Sequence, residues 1–248
     1  MRNFSAKEAD FDERVLKIAR LTDEFESYRH PHATRIAALA DALAQKFNFA
    51  SHDRYSLRQA ALVHDLGEFV MNRDYIKSNH PLREDERADV QRHTIIGEQE
   101  AAKRGLNRAV QLLVRWHHEW WNGAGYPDAL QGEQIPLTAR ILRVSDTYCA
   151  LTDDRPYNAA VSEAQAKRYL TEWAGIEFDP EIVKAFLSLE NLTELKSFAY
   201  EKENQFFEEP VENTENEEPF ENFENNELFN KDIFEKFDSR EISIVKEN

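Results

Sequence analysis

The sequence predicts an all-α body, and three observations carry that expectation. Apolar residues recur at steps of three and four through most of residues 8–189. Strand-like alternation and internal repeats are missing from the same span. Residues that suit helix starts, such as Pro31 and Ser162, sit where the periodic segments open.

Taken in order, Glu8 to Glu26 reads as an amphipathic helix. Phe11, Val15, Ile18 and Phe25 form its apolar face, with Leu21 beside it and polar Thr22 interrupting it. His32 to Phe47 follows as a clearer helix, with Ile36, Leu39, Ala40, Leu43, Ala44 and Phe47 on one face and Pro31 in its first turn. Tyr55 to Phe69 is a third helix, buried through Leu57, Ala60, Ala61, Leu62 and Val63. Val70 to Pro81 reads as a loop. A helix over Leu82 to Arg104 has Glu84, Asp85 and Glu86 near its start, where they favour the helix dipole. It carries His93 near its middle, and Gly97 marks a close approach of another element. Asn107 to His118, Leu137 to Leu151, Ser162 to Glu172 and a last short helix started by Phe178-Asp179-Pro180 and running through Leu189 complete the body.

Composition narrows the function classes. The net charge is −16; residues 201–248 hold 16 acidic and 5 basic side chains, net −11, which leaves −5 for the rest. An acidic body disfavours nucleic-acid polymers and anionic membranes, although a bound metal can attract a small phosphorylated substrate locally. The single Cys149 rules out an internal disulfide and fits a reducing compartment. No run of about 18 apolar residues predicts a membrane helix, and the polar start lacks a signal-peptide core, so a cytoplasmic location is expected. After about Tyr200 the chain turns to Glu, Asn and Phe, and an acidic disordered tail is expected there.

Chemistry concentrates in His32, His64-Asp65, His93, His117-His118 and Asp146. Neutral imidazole and carboxylate are ordinary ligands of divalent first-row metals. These residues sit in apolar helical sequence, as ligands projecting into a shared core would. Adjacent residues on a helix point about 100° apart, so each doublet can present two groups to one cleft. Five histidines and two aspartates exceed one metal's needs and suit two metals sharing a carboxylate, with Asp65 as the bridge. Two ions about 3.5–4 Å apart can hold a hydroxide between them and bind phosphate oxygens. Downstream, Gly123-Ala124-Gly125-Tyr126-Pro127 forms a turn that can approach a ligand, with Trp120 and Trp121 as further aromatic surface.

These pieces resemble the HD-GYP branch of the HD metal-dependent phosphohydrolases. The matching segments run from His32-Ala33-Thr34-Arg35 and His64-Asp65-Leu66-Gly67, through His93 and Gly97, to His117-His118-Glu119 and Gly125-Tyr126-Pro127. They continue through Ile135-Pro136, Ala139-Arg140-Ile141, Val144-Ser145-Asp146, Ala150-Leu151-Thr152 and Arg155-Pro156-Tyr157, so the resemblance covers about residues 28 to 190. It implies an HD-domain helical bundle with a metal centre in its core, divided as an N-terminal helical segment (1–27), the HD-GYP-like domain (28–198) and the tail (199–248). It implies hydrolysis of cyclic di-GMP to pGpG or GMP in bacterial signalling, with two divalent ions, iron or manganese. One ion would take His32, His64, Asp65 and Asp146; the other would take Asp65, His93, His117 and His118. Some members carry a third-metal glutamate four residues before the first histidine; here that position is Tyr28, so two ions are expected. The resemblance also offers Arg155, Tyr126 and Arg140 as substrate contacts, and the Gly-Tyr-Pro loop or the tail as a docking point for a signalling partner.

Four positions depart from the pattern, the mildest being Asn122 in place of a common aspartate before Gly123. Glu68 stands where the family has a lysine near the scissile phosphate, which places it among the catalytic candidates with Asp65. Cys149 replaces an aspartate, and Asn158 replaces a basic residue. The alternatives to cyclic di-GMP hydrolysis are a degenerate domain that binds nucleotide or a partner without turnover, and a hydrolase of another cyclic nucleotide.

Overall fold

The computed structural model describes residues 6–78, 80–155, 159–190 and 192, with side chains from residue 13 onward. The expected tail and Asn158 lie outside the described residues. Within them the chain forms α1 (Ala6–Phe25), α2 (His32–Lys46), α3 (Ser51–Leu62), α4 (Leu66–Met71), α5 (Glu84–Gln91), α6 (His93–Lys103), α7 (Arg108–Trp116), α8 (Leu137–Thr152), α9 (Glu163–Glu172) and α10 (Pro180–Leu187). Short 3-10 turns cover Asp74–Lys77 and Gly132–Gln134. An isolated bridge joins Ala174 and Phe178. No described helix is long and apolar enough to cross a membrane.

Helices α2 and α8 form the centre. Ile36, Ala40, Leu43 and Ala44 of α2 and Ile141, Leu142, Val144 and Cys149 of α8 are fully buried. Each large apolar side chain buried this way contributes about 1.5–3 kcal/mol. Helix α2 packs between α3 and α8, while α6 packs against both α4 and α7. Helix α1 lies against α2, α3 and α4. Its Thr22, expected to interrupt the apolar face, is itself buried because its Oγ1 donates to the Ile18 carbonyl at 3.0 Å.

Local chemistry fixes where α2 begins. Pro31 has no side chain that can accept from the first turn. Asp23 of α1 takes that role: its carboxylate accepts from the backbone N–H of His32 at 2.7 Å and of Ala33 at 3.1 Å. A carboxylate at a helix N-terminus also matches the helix dipole. The end of α1 thereby holds the first histidine in place.

Two helices expected to be continuous are broken, and both breaks position candidate ligands. The segment expected over Tyr55 to Phe69 stops at Leu62 and restarts at Leu66, leaving His64 and Asp65 in a tight turn closed by the Leu66 N–H on the Val63 carbonyl at 3.1 Å. The segment expected over Leu82 to Arg104 breaks at Arg92, so His93 opens α6 instead of lying mid-helix. Arg92 bonds Asp89 at 3.0 Å, and the same buried carboxylate holds Arg73 at 2.9 Å and the Tyr75 hydroxyl. That network fastens Arg73 and Tyr75, beyond the end of α4, onto Asp89 of α5. Likewise α7 ends at Trp116, so His117 and His118 occupy the turn beyond it.

Gly67 explains how the first break is held. A Cβ built there would lie 1.9 Å from the His93 carbonyl oxygen, so only glycine lets α4 and α6 approach this closely. Gly97, expected to mark a close approach, meets Val114 and Gly67.

Candidate metal centre

The breaks in the helices bring the ligand candidates into two adjoining groups. His32, His64 and Asp146 form one; Asp65, His93, His117 and His118 form the other, and within each the ligating atoms lie within 4.8 Å of one another. Asp65 touches both groups. Its Oδ2 is 2.8 Å from His64 Nε2, while its Oδ1 is 3.2 Å from His93 Nε2 and 3.5 Å from His117 Nε2. Asp146 Oδ1 stands 3.9 Å from His32 Nε2 and 3.8 Å from His64 Nε2.

The donor set fits divalent metal. His32 Nε2, His64 Nε2 and Asp65 Oδ1 are buried with no hydrogen-bond partner, a costly arrangement unless an ion completes it. Four rings also have their far nitrogen fixed by an acceptor. His64 Nδ1 faces the Ala61 carbonyl at 3.0 Å, His93 Nδ1 the Val90 carbonyl at 2.6 Å, His117 Nδ1 the Val114 carbonyl at 2.7 Å, and His32 Nδ1 the Asp153 carboxylate at 2.9 Å. An acceptor at Nδ1 places the proton there and leaves Nε2 as the lone-pair atom turned inward.

Electrostatics follow from burial and pairing. Burial alone would raise the Asp65 carboxyl, but the charge of His64 and the close approach of the His117, His64 and His93 rings hold it well below the usual range. His64 is driven well above an ordinary histidine: Asp65, with Asp146 and Glu26, outweighs the cost of burial. Burial lowers His117, and burial, His117 and Arg143 together push His118 well below the ordinary value.

Glu68 lies beside His93, its Oε1 3.9 Å from His93 Nδ1. Burial, then repulsion from Asp65, pushes its carboxyl up to about 7. In metal-stripped protein the folded state therefore keeps a proton that the unfolded chain, at the ordinary 4.5, has lost. Stability should fall as pH rises from about 4.5 through about 7. Glu68→Gln should remove that slope and stabilise the stripped protein at pH 8 by roughly 1–3 kcal/mol. Urea unfolding at pH 5 and pH 8 checks this; an unchanged slope would contradict it.

Several residues at the site had no role assigned from the sequence. Asp153 bridges His32 and Arg35, whose Nη1 lies 2.5 Å from its Oδ1. Asp153→Asn should weaken metal binding at the His32 group about 10–100-fold with little loss of fold, as competition with a chelator would show. Glu26 is buried just before α2, and burial with repulsion from Asp65 and Glu68 holds its carboxyl well above the usual range. It joins the acidic side of the cleft two residues before Tyr28, where no carboxylate was sought. Arg143 donates to His118 Nδ1 at 2.8 Å and pairs with buried Glu177, which also accepts from the Tyr169 hydroxyl at 3.2 Å. A charged residue inside the apolar run 141–144 was the sequence signal for Arg143.

The expected substrate contacts separate. Tyr126 stacks on His118 with ring centroids 4.9 Å apart and turns an edge to His93 at 6.2 Å, so the Gly-Tyr-Pro loop borders the cleft. Buried Glu119 pins that loop by accepting from the Asp128 and Leu130 N–H groups at 2.7 and 2.9 Å. Gly125 presses against the Trp120 and His118 backbone, too close for any Cβ. Arg155 lies over Tyr28 at 3.8 Å, and Tyr28 stacks on His32 at 3.7 Å. Arg140 is engaged elsewhere: it binds Asp179 at 2.5 Å and the Ile135 carbonyl at 2.9 Å, which ties α8 to the start of α10. Trp121 lies beneath Arg140, and Trp120 packs against Trp173.

A helical bundle with paired histidine–aspartate groups in its core defines the HD class of metal-binding domain. The profile of one family, described as HD domain, matches residues 5–182, and the chain belongs to that family. It is similar to the cyclic di-GMP phosphodiesterase PA4108 of Pseudomonas aeruginosa, 35% identical over 178 residues that cover 70% of this chain and 42% of the relative. It is similar to the cyclic di-GMP phosphodiesterase response regulator RpfG of Xanthomonas campestris, at 33% identity over 71% of this chain and 47% of the relative. The 3'3'-cGAMP-specific phosphodiesterase 3 of Vibrio cholerae is 31% identical over 72% of this chain and 39% of its own length. The chain thus spans less than half the length of these relatives. A crystal structure of a cyclic GMP-AMP specific phosphodiesterase of V. cholerae shares the fold, with a TM-score of 0.60 at 17% identity over 81% of this chain and 54% of that one.

Proposed function

We propose that the chain is a metal-dependent phosphodiesterase of cyclic dinucleotides, with cyclic di-GMP as substrate and pGpG or GMP as product. The observation that carries this reading is Asp65, whose two oxygens face separate histidine groups and whose Oδ1 is buried without a partner. His32, His64, Asp65 and Asp146 would hold one ion, and Asp65, His93, His117 and His118 the other. When bound, two divalent ions supply a nucleophilic hydroxide at neutral pH and positive charge for the phosphoryl oxygens.

The chain's own residues do the rest. Asp153 and the Ala61, Val90 and Val114 carbonyls hold four imidazoles in the tautomer that ligates. Glu68 handles a proton at its carboxyl oxygens, in a cleft where the usual lysine would have supplied charge. Tyr126 walls one side of the cleft, and Arg155 is placed near Tyr28 to meet a phosphate with its planar fork.

A second reading, hydrolysis of a mixed cyclic dinucleotide, is favoured by the cGAMP-specific relative at similar identity. A panel of cyclic di-GMP, 3'3'-cGAMP and cyclic di-AMP, followed by chromatography, tests both. Preferred turnover of cyclic di-GMP supports the first reading, and preferred turnover of 3'3'-cGAMP supports the second. Nucleotide binding with no turnover under iron or manganese would point to a domain that signals without catalysis.

A further inference from the structure

Among the five site histidines, His118 alone meets a donor at Nδ1. The other four rings face a carbonyl or a carboxylate there. His118 Nδ1 instead lies 2.8 Å from Arg143 Nη1. A guanidinium has N–H donors and no acceptor, so the Nδ1 it meets must carry the lone pair. In the neutral ring the proton then sits on Nε2, and a protonated nitrogen cannot ligate. A metal at Nε2 would force Nδ1–H against an Arg143 N–H. A metal at Nδ1 would have to expel the guanidinium.

Arg143 is built to stay. It is 4% exposed, and its other terminal nitrogen pairs with Glu177, whose side chain is fully buried. Glu177 is in turn held by the Tyr169 hydroxyl. Arg143 Nη1 also stands 3.7 Å from Asp146 Oδ2, so the same guanidinium spans the two ligand groups.

We propose that His118 is a hydrogen-bond donor to substrate and not a metal ligand, and that Arg143, anchored by Glu177, enforces this as a positioning residue. The inference rests on the two-metal reading above and changes one member of its ligand set. The second ion takes Asp65, His93 and His117. The Nε2–H of His118, with its ring stacked on Tyr126, offers a neutral donor to a non-bridging phosphoryl oxygen.

The test uses intact protein loaded with zinc, a diamagnetic probe, and long-range nitrogen–proton NMR of the histidine rings. The expected spectrum shows Nδ1–H with metal-bound Nε2 for His32, His64, His93 and His117, and Nε2–H with no metal-bound nitrogen for His118. In Arg143→Met the His118 proton should lose its fixed place on Nε2; an unchanged His118 pattern would overturn the role of Arg143. Metal counting adds a second readout. His118→Gln should still bind two ions with less than about a tenfold loss of affinity, while His93→Gln should lose the second ion. A metal-bound nitrogen at His118, or loss of the second ion in His118→Gln, would overturn the proposal. Wild-type protein that binds fewer than two ions would overturn the two-metal reading itself, and this inference with it.

Discussion

Asp65→Ala is expected to lose metal from both ligand groups and to lower cyclic dinucleotide hydrolysis by roughly a thousandfold or more. The size follows from what the residue does. Among the described residues, Asp65 alone has oxygens that approach His64 on one side and His93 and His117 on the other. Removing it takes a shared negative ligand from a cluster of imidazoles, and the charge stabilisation given by two ions, several kcal/mol, goes with it. The fold should survive, because the core of α2 and α8 does not depend on this side chain. Metal content and turnover, measured beside thermal unfolding, check the claim. A folded variant with unchanged turnover would contradict it.

Gly67→Ala is expected to be the most damaging single-methyl change in the body. The added Cβ would lie 1.9 Å from the His93 carbonyl oxygen, 2.6 Å from its carbon and 2.8 Å from its Cα. All three are backbone atoms, so no flexible side chain can yield. Helix α4 would have to move off α6, carrying Asp65 away from His93. A loss of about 3 kcal/mol or more is expected, at the upper end of overpacking effects. The loss should appear in urea unfolding together with failure to bind the second ion. Gly97→Ala should be milder, because its nearest neighbour is the Val114 Cγ1 atom at 2.8 Å, a side chain that can shift.

Much of the candidate site was legible because candidate ligands stand out by context. Polar doublets at His64-Asp65 and His117-His118 interrupt apolar helical sequence, and the structure gathers them with His32, His93 and Asp146. The helical bundle was legible from periodicity alone. The turns that carry the doublets were not. Leu62, Val63 and Leu66 continue the apolar pattern of α3 across the break, and what stops the helix is the tertiary approach of α4 to α6 at Gly67. Local pattern cannot report a contact between residues 67 and 93.

The same limit explains the residues that were not found. Asp153 acts on His32 from 121 positions away, and Glu177 acts on Arg143 from 34 positions away. Asp23 caps α2 from within α1, although Pro31 occupies the position where a cap would be sought. Arg140, expected at the substrate, is drawn to Asp179 because that carboxylate also caps α10, accepting from the Glu181 N–H at 2.8 Å. A charge that satisfies a buried partner is not visible from its own neighbours in sequence.

The most direct measurement is product formation from cyclic di-GMP. Protein purified without chelator and reconstituted anaerobically with Fe(II) or Mn(II) should release pGpG or GMP, and Asp65→Ala prepared in parallel should not. Wild-type protein that holds two ions, binds the nucleotide and yields no product would contradict the catalytic account. Product formed equally by Asp65→Ala would contradict the placement of catalysis in this centre.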